Sequence, residues 1–388
     1  MRILVGLTYY RPHVSGLTIY VERLARALAS RGHDVTVLTS QYDSSLPRKE
    51  ERDGVHIIRV PVALRISKGV IMPTIGWEAT RQVAQHDVVH LHLPQLDATG
   101  IALRGRLMGR PVVLTYHSDL RLPPTFINRI ANLVVDIANH SAALLANRIV
   151  AYTEDFATHS PFLSRYLDKV EVIPPPVEVS QADSGAADDI ASQAKGGGPF
   201  IGMAARLATE KGVEHLLAAL PHIIAEHPDA EVLFAGPYRN VLGEQDYARR
   251  LAPLLDQFDD HWTFLGVLDP DQMAAFYDLC DVTVLPSINN TETFGLVQIE
   301  SMICGTPVVA SNLPGVRQPI TMTGMGEIVP VADSNALGQA ILQVLRSPEQ
   351  YRVDPEGIAR RFSPDTVAAK YESLFGKLIG SDDVGSLE

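Results

Sequence analysis

The sequence predicts an α/β protein of two doubly wound domains in tandem. Three observations predict it. Short runs that are apolar throughout alternate with stretches at helical spacing, as parallel strands buried on both faces do. The composition breaks near residue 180, where residues 180–199 are small, polar and glycine-rich. The alternation then starts again, with no fixed-period repeat between the halves.

In the first half, residues 2–8 read as the opening strand. A helix over 18–31 follows, with Tyr20, Leu24, Ala27, Leu28 and Arg31 at helical spacing and Gly32 as its stop. Further strands are predicted at 34–39, 55–62, 87–93, 111–117, 148–153 and 169–174. In the second half, strands are predicted at 200–204, 231–236, 262–266, 281–286 and 307–311, and helices at 213–227, 271–279 and 294–304. A last helix over 364–378 carries Val367, Tyr371, Leu374 and Leu378 on one face, and 380–388 read as a frayed end. Ligand sites in such folds lie beyond the carboxyl ends of the strands.

The composition excludes several classes. At 388 residues, 46% hydrophobic and 20% charged, the chain is globular and long enough for large cores. Two cysteines, Cys280 and Cys304, cannot build a disulfide framework. The longest stretch without Asp, Glu, Lys or Arg, residues 301–316, is too short to span a membrane. Residues 1–6 lack the pattern of a signal peptide, so the expectation is a cytoplasmic protein. The net charge of −12 argues against nucleic acid as a partner. Residues 1–180 hold 20 Lys/Arg against 16 Asp/Glu, and the rest hold 13 against 29. That asymmetry fits two domains with different partners, or two ordinary surfaces with scattered charge.

The sharpest constellation runs from Pro286 to Glu300. A strand ends, a Ser/Asn loop follows, and a helix begins near Thr293 to Gly295, with unpaired amides that suit a phosphate. Gly295 would let a ligand approach the backbone. Glu292 stands before the helix and Glu300 within it, and a carboxylate accepts well from a vicinal diol. The structural alternative is a capping Glu292 and a solvated Glu300. Arg206 and Lys211 lie in the loop after the first strand of the second half, and two cations there can clamp a diphosphate. Their alternative is pairing with Glu210 or Glu214. Gly16 lies between the first strand and first helix, where such a domain binds an anion, though it also reads as a plain turn residue. Of His90, His92 and His117, the last sits at a strand's carboxyl end and is best placed for a polar role. His90 and His92 share a strand face, but no further ligand lies at metal spacing. Asp269-Pro-Asp271 reads as a helix start rather than a metal site. The G-x-G-x-x-G, P-loop and nucleophile-elbow motifs are all absent.

Taken together these residues look familiar. Pro12 to Gly16, Gly32 to Val37, Asp87 to His92, Thr115 to His117, Arg206 to Gly212, the Glu292 and Glu300 pair around Phe-Gly-Leu, and Gly305 to Ser311 follow one another in order. The set resembles the retaining GT-B glycosyltransferases of family four, the glycosyl transferases group 1. The resemblance implies two Rossmann-like domains facing across a cleft. The first, residues 1–180, is acceptor-side and is joined by a C-terminal helix at 363–380. A linker spans 181–198, and 199–362 bind the nucleotide sugar. Glu300 would hold the ribose, and Glu292 the donor sugar together with the amides of Phe294, Gly295 and Leu296. Arg206 and Lys211 would neutralise the diphosphate. Gly16 would offer an amide to it, and His117 would sit near the sugar. Gly236 and Val267 would line the nucleotide. The catalytic set is thus His117, Arg206, Lys211 and Glu292. No cofactor and no metal are expected, because Arg and Lys supply the electrostatics. Two departures from the family's pattern are Ser15-Gly16, where many members have two glycines, and Gly236-Pro237, which lacks a second glycine.

The implied reaction moves a hexose, with retention, from a UDP- or GDP-sugar to a hydroxyl of a glycan or lipid-linked acceptor. A sugar-nucleotide epimerase or hydrolase of the same fold is the alternative. The missing dinucleotide fingerprint counts against a dehydrogenase. The intact Arg, Lys and Glu set counts against a silent binding protein. Residues 101–129 hold Arg104, Arg106, Arg110, Arg121 and Arg129 against Asp119 alone, and an apolar stretch, 126–145, follows. Such a surface could rest on an anionic membrane at its inner face. The alternative is a core helix with scattered arginines.

Overall fold

The computed structural model describes residues 1–66, 69–119, 126–180 and 184–382. The chain divides into two compact units. One runs from Met1 to Pro176 and takes in the C-terminal helix from Ser363, and the other is Val177–Phe362.

The sheet of the first unit has eight strands. Its order is Val170–Val172, Arg148–Ala151, Val112–Tyr116, Val88–Leu93, Arg2–Gly6, Asp34–Gln41, Val55–Pro61 and Lys49–Arg52. Every pairing is parallel except the last, where Lys49–Arg52 runs antiparallel along the edge. That strand is all charge (KEER), so no apolar pattern announces it, and charge on an edge discourages further pairing. The central strands are buried at every position but Arg2, and their letters are apolar except for Arg2, His90, His92 and Thr115.

The sheet of the second unit has six parallel strands. Its order is Trp262–Gly266, Glu231–Ala235, Phe200–Ala204, Val282–Leu285, Val308–Ser311 and Gly326–Val329. In chain order that is 3-2-1-4-5-6, the order of a doubly wound dinucleotide-type domain. The order reverses between the first strand, Phe200–Ala204, and the fourth, Val282–Leu285, which pair directly. Any ligand site of this unit belongs beyond their carboxyl ends.

Two readings need correction. The proposed linker at 181–198 is helical over Ser184–Gln193, while 181–183 lie outside the described residues. Ile190 is fully buried, with Ala186, Ala187 and Ala194 packed beside it against Phe276 and Tyr277. Small residues here make a close helix contact rather than a loose loop. The helix expected from residue 294 begins at Leu296, because Gly295 adopts the left-handed conformation at its N-cap. The C-terminal helix, Pro364–Asp382, is slightly longer than its periodicity indicated. It packs on the Gly16–Ser30 helix, with Arg31 bonded to Asp365 and Glu372. Tyr371 from this helix reaches the core, where its hydroxyl bonds Tyr20 at 2.7 Å and Thr115 at 2.8 Å.

Candidate functional site

The loop after the first strand of the second unit carries both cations, and backbone geometry fixes its path. Ala205 N–H donates to Ala235 (2.9 Å) and Leu207 N–H to Pro237 (2.8 Å). The Glu244 carboxylate accepts from the amide (3.0 Å) and hydroxyl (2.8 Å) of Thr209. Gly212 ends the loop at φ +65°, where a Cβ would stand 2.2 Å from the Pro286 carbonyl oxygen. Only glycine permits that approach. Ile288 N–H donates to the Glu210 carbonyl at 3.0 Å, so the loops of the first and fourth strands run side by side.

The predicted charges meet there. Lys211 Nζ ion-pairs with Glu292, and both side chains are mostly buried. Arg206 pairs with Glu210, one of the two partners its structural alternative named. Lys211 takes neither Glu210 nor Glu214. Glu214 instead accepts from the Tyr247 hydroxyl, which also accepts from the Val213 amide at 3.1 Å.

Glu300 lies on the Leu296–Ile303 helix, half-buried, and accepts from the Tyr277 hydroxyl at 3.1 Å. Gly295 is required by the protein itself: φ is +76°, and a Cβ would stand 2.3 Å from Leu285 Cδ2. Leu296 follows as the first helical residue. Phe294 is buried and contacts Phe362, so only its backbone can face a ligand. Gly236 has φ +135°, and a Cβ there would stand 2.1 Å from the Ala205 carbonyl oxygen. Val267 follows the third strand and is 74% exposed. Glu244 and Tyr277 were missed by the sequence reading, because their contacts span distant segments, whereas Glu210 stood there as a partner in the structural alternative.

In the first unit, Ser15 caps the Gly16–Ser30 helix by accepting from the Thr18 amide at 3.2 Å. A Cβ on Gly16 would meet nothing within 4 Å, so the space beside its Cα is open. His117 is buried, with Nδ1 bonded to the Tyr152 hydroxyl and Nε2 at 2.9 Å from His92 Nδ1. His90 bonds Thr115 at 2.7 Å, and its ring packs on Tyr371 and Phe375. Burial pushes His90 and His117 down to about 3, and holds His92 well below its usual value. All three rings are neutral at pH 7. Asp269 caps the Pro270–Leu279 helix in a capping box with Gln272. Among the described residues no group of three His, Cys, Asp or Glu could hold a metal.

A parallel sheet in the order 3-2-1-4-5-6 places the second unit in the Rossmann-like class of doubly wound domains. The model for Glycosyltransferase Family 4 matches residues 14–181, and that for Glycosyl transferases group 1 matches residues 186–360. The chain belongs to this family: it is a group 1 glycosyltransferase of the GT-B fold class. It is 28% identical to the phosphatidyl-myo-inositol mannosyltransferase of Mycobacterium leprae, over 97% of this chain and 96% of that protein. It is also 28% identical to the 2-deoxystreptamine N-acetyl-D-glucosaminyltransferase of Streptomyces fradiae, over 96% and 89%. Its fold matches that of Anabaena Alr3699/HepE, solved in complex with UDP-glucose, with a TM-score of 0.75. That match covers 97% of this chain and all of the other, at 18% identity.

The three neutral histidines make a prediction. Unfolding exposes them, and each then takes up a proton below about pH 6.5. At His90 and His117 the unfolded state therefore binds more protons between about 6.5 and 3, and His92 adds to this below about 6.5, so stability falls as pH falls through that window. Each ring contributes up to about 1.4 kcal/mol per pH unit. Urea unfolding between pH 6.5 and 4.5 should show this slope, shallower by about one proton in His90→Gln. An equal slope in both proteins would contradict it.

Proposed function

We propose that the protein transfers a hexose, with retention and without a metal, from a UDP- or GDP-sugar to a hydroxyl of a cyclitol, glycan or lipid-linked acceptor. The meeting of Lys211 with Glu292 at the switch point, beside Arg206, carries this reading. In it, Lys211 and Arg206 take the diphosphate and stabilise its charge as it leaves. Glu292 accepts from the donor sugar's hydroxyls, and Glu300 from the ribose diol. The amides of Phe294, Gly295 and Leu296 add donors at the start of their helix. Gly236 and Val267 line the nucleotide. The first unit's share is the amide of Gly16 and the neutral His117, whose imidazole or carbonyl faces the sugar. Same-face attack lets the leaving phosphate take the acceptor's proton. The relatives' names support a cyclitol, since both phosphatidyl-myo-inositol and 2-deoxystreptamine carry one. The UDP-glucose complex of the structural neighbour supports the donor class.

We also propose a cytoplasmic enzyme that rests on the inner face of an anionic membrane. Three neighbouring helices of the first unit, Ile75–Gln85, Ala98–Leu107 and Phe126–Leu145, expose Trp77, Leu107, Leu133, Ile137 and Leu144. Arg106 and Arg129 are exposed on the same helices, while Arg121 lies outside the described residues. No described helix is long and apolar enough to cross a membrane. Apolar surface with cations around it suits a headgroup layer.

Two measurements check these readings. Calorimetry with UDP, GDP, ADP and dTDP should find one ligand, indifferent to EDTA, whose binding weakens at least about tenfold in Glu300→Ala. Wild-type affinity in the mutant would sink the ribose assignment. In vesicle sedimentation, phosphatidylglycerol vesicles should retain the protein where phosphatidylcholine vesicles do not. Equal retention by both would remove the electrostatic part of the membrane reading.

A further inference from the structure

One buried side chain of the second unit commits both of its protons to backbone. Gln298 lies in the first turn of the Leu296–Ile303 helix and is fully buried. Its Nε2 donates to the Phe294 carbonyl at 2.8 Å and to the Val316 carbonyl at 2.8 Å. An amide nitrogen has two protons, so both are used. Its Oε1 has no hydrogen-bond partner. Turning the amide over would set that oxygen against two carbonyl oxygens, so the acceptors fix its orientation. A buried acceptor without a partner is costly, and an apolar side chain of the same length would fill the space without that cost. Packing alone therefore does not account for an amide here.

The two carbonyls belong to two loops. Phe294 follows the strand Val282–Leu285 and Val316 follows Val308–Ser311, and these strands pair directly. Gln298 thus joins the loops beyond two neighbouring strand ends. The link to Phe294 has the sharper consequence. In a trans peptide the C=O of one residue and the N–H of the next point opposite ways. The bond from Phe294 to Gly295 is trans. Holding the Phe294 carbonyl on a buried nitrogen therefore turns the Gly295 N–H away from that nitrogen. Glycine accepts either orientation of the peptide before it, so Gly295 by itself selects neither. The amide stands close enough to select one: a Cβ on Gly295 would lie 2.8 Å from Gln298 Nε2.

We infer that Gln298 is a positioning residue for the donor, and that by holding the Phe294 carbonyl inward it presents the Gly295 amide to the part of the donor beyond its first phosphate. Gln298 touches no substrate and acts through the backbone of the turn. The inference deepens the transferase reading and rests on it.

Two measurements on the full chain test it. Calorimetry compares UMP, UDP and UDP-glucose, and GMP, GDP and GDP-mannose, in wild type, Gln298→Met and Gln298→Glu. Met keeps the length and removes the donors, and Glu turns an acceptor toward the two carbonyls. Both variants should bind the sugar nucleotide at least about tenfold more weakly than wild type, with monophosphate affinity within about twofold. A merely structural role would weaken monophosphate and sugar nucleotide alike. Hydrogen exchange of the ligand-free protein reads the turn directly: residues 293–297 should exchange at least about tenfold faster in Gln298→Met, with other segments unchanged. The inference is overturned if Gln298→Met binds the sugar nucleotide as wild type does, if it weakens all the nucleotides equally, or if its exchange matches wild type. Faster exchange in a protein that takes no nucleotide would leave Gln298 as the residue that holds the turn and count against the transferase reading.

Discussion

The second unit depends on a close approach of two loops that only glycine allows. At Gly212 the chain passes so near the Pro286 carbonyl that any side chain would collide with it. That approach sets Lys211 opposite Glu292, 81 residues away in the chain. It also lets Ile288 hydrogen-bond to Glu210, so the two loops are joined backbone to backbone. Gly236 performs the same service one strand over, against the Ala205 carbonyl. The rear of the loop is held by Glu244 on Thr209 and Tyr247 on Val213. Positioning of this kind uses backbone sterics first and charge second, which is why the cations need no long side-chain network behind them.

The electrostatics follow. Each cation has a carboxylate partner, so neither stands as an unpaired charge in a half-buried loop. An arginine has five N–H donors and a lysine three, so pairing with one carboxylate leaves donors over for another anion. The first unit solves a different problem. Its core accepts His90, His92 and His117 only as neutral rings, held by Thr115, Tyr152 and each other. Tyr371 joins that network from the C-terminal helix, through Tyr20 and Thr115. The helix is thereby tied to the sheet by polar contacts as well as by packing.

Much of this was legible in the sequence. The parallel strands were, because a strand buried on both faces must be apolar at every position. The second unit's cations and carboxylates were legible as types in loops after strands, and Arg206, Lys211, Glu292 and Glu300 lie on those loops and the helix that follows. What was not legible came from distance. The sequence carries no sign that Lys211 prefers Glu292 to Glu210, or that Tyr277 bonds Glu300. Lys49–Arg52 escaped because an edge strand needs no apolar face. Ser184–Gln193 escaped because alanines that pack closely resemble the small residues of a linker. Gly295 was singled out for the approach of a ligand, and the structure assigns its strictness to Leu285.

In the proposed transfer, Arg206 and Lys211 read the second phosphate of the donor. The most direct measurement is the affinity ratio of a nucleoside diphosphate to its monophosphate, in wild type, Arg206→Ala and Lys211→Ala. The account predicts that wild type prefers the diphosphate by at least about tenfold and that each substitution removes most of that preference, leaving monophosphate affinity nearly unchanged. A preference that survives both substitutions would place the diphosphate elsewhere and contradict the account.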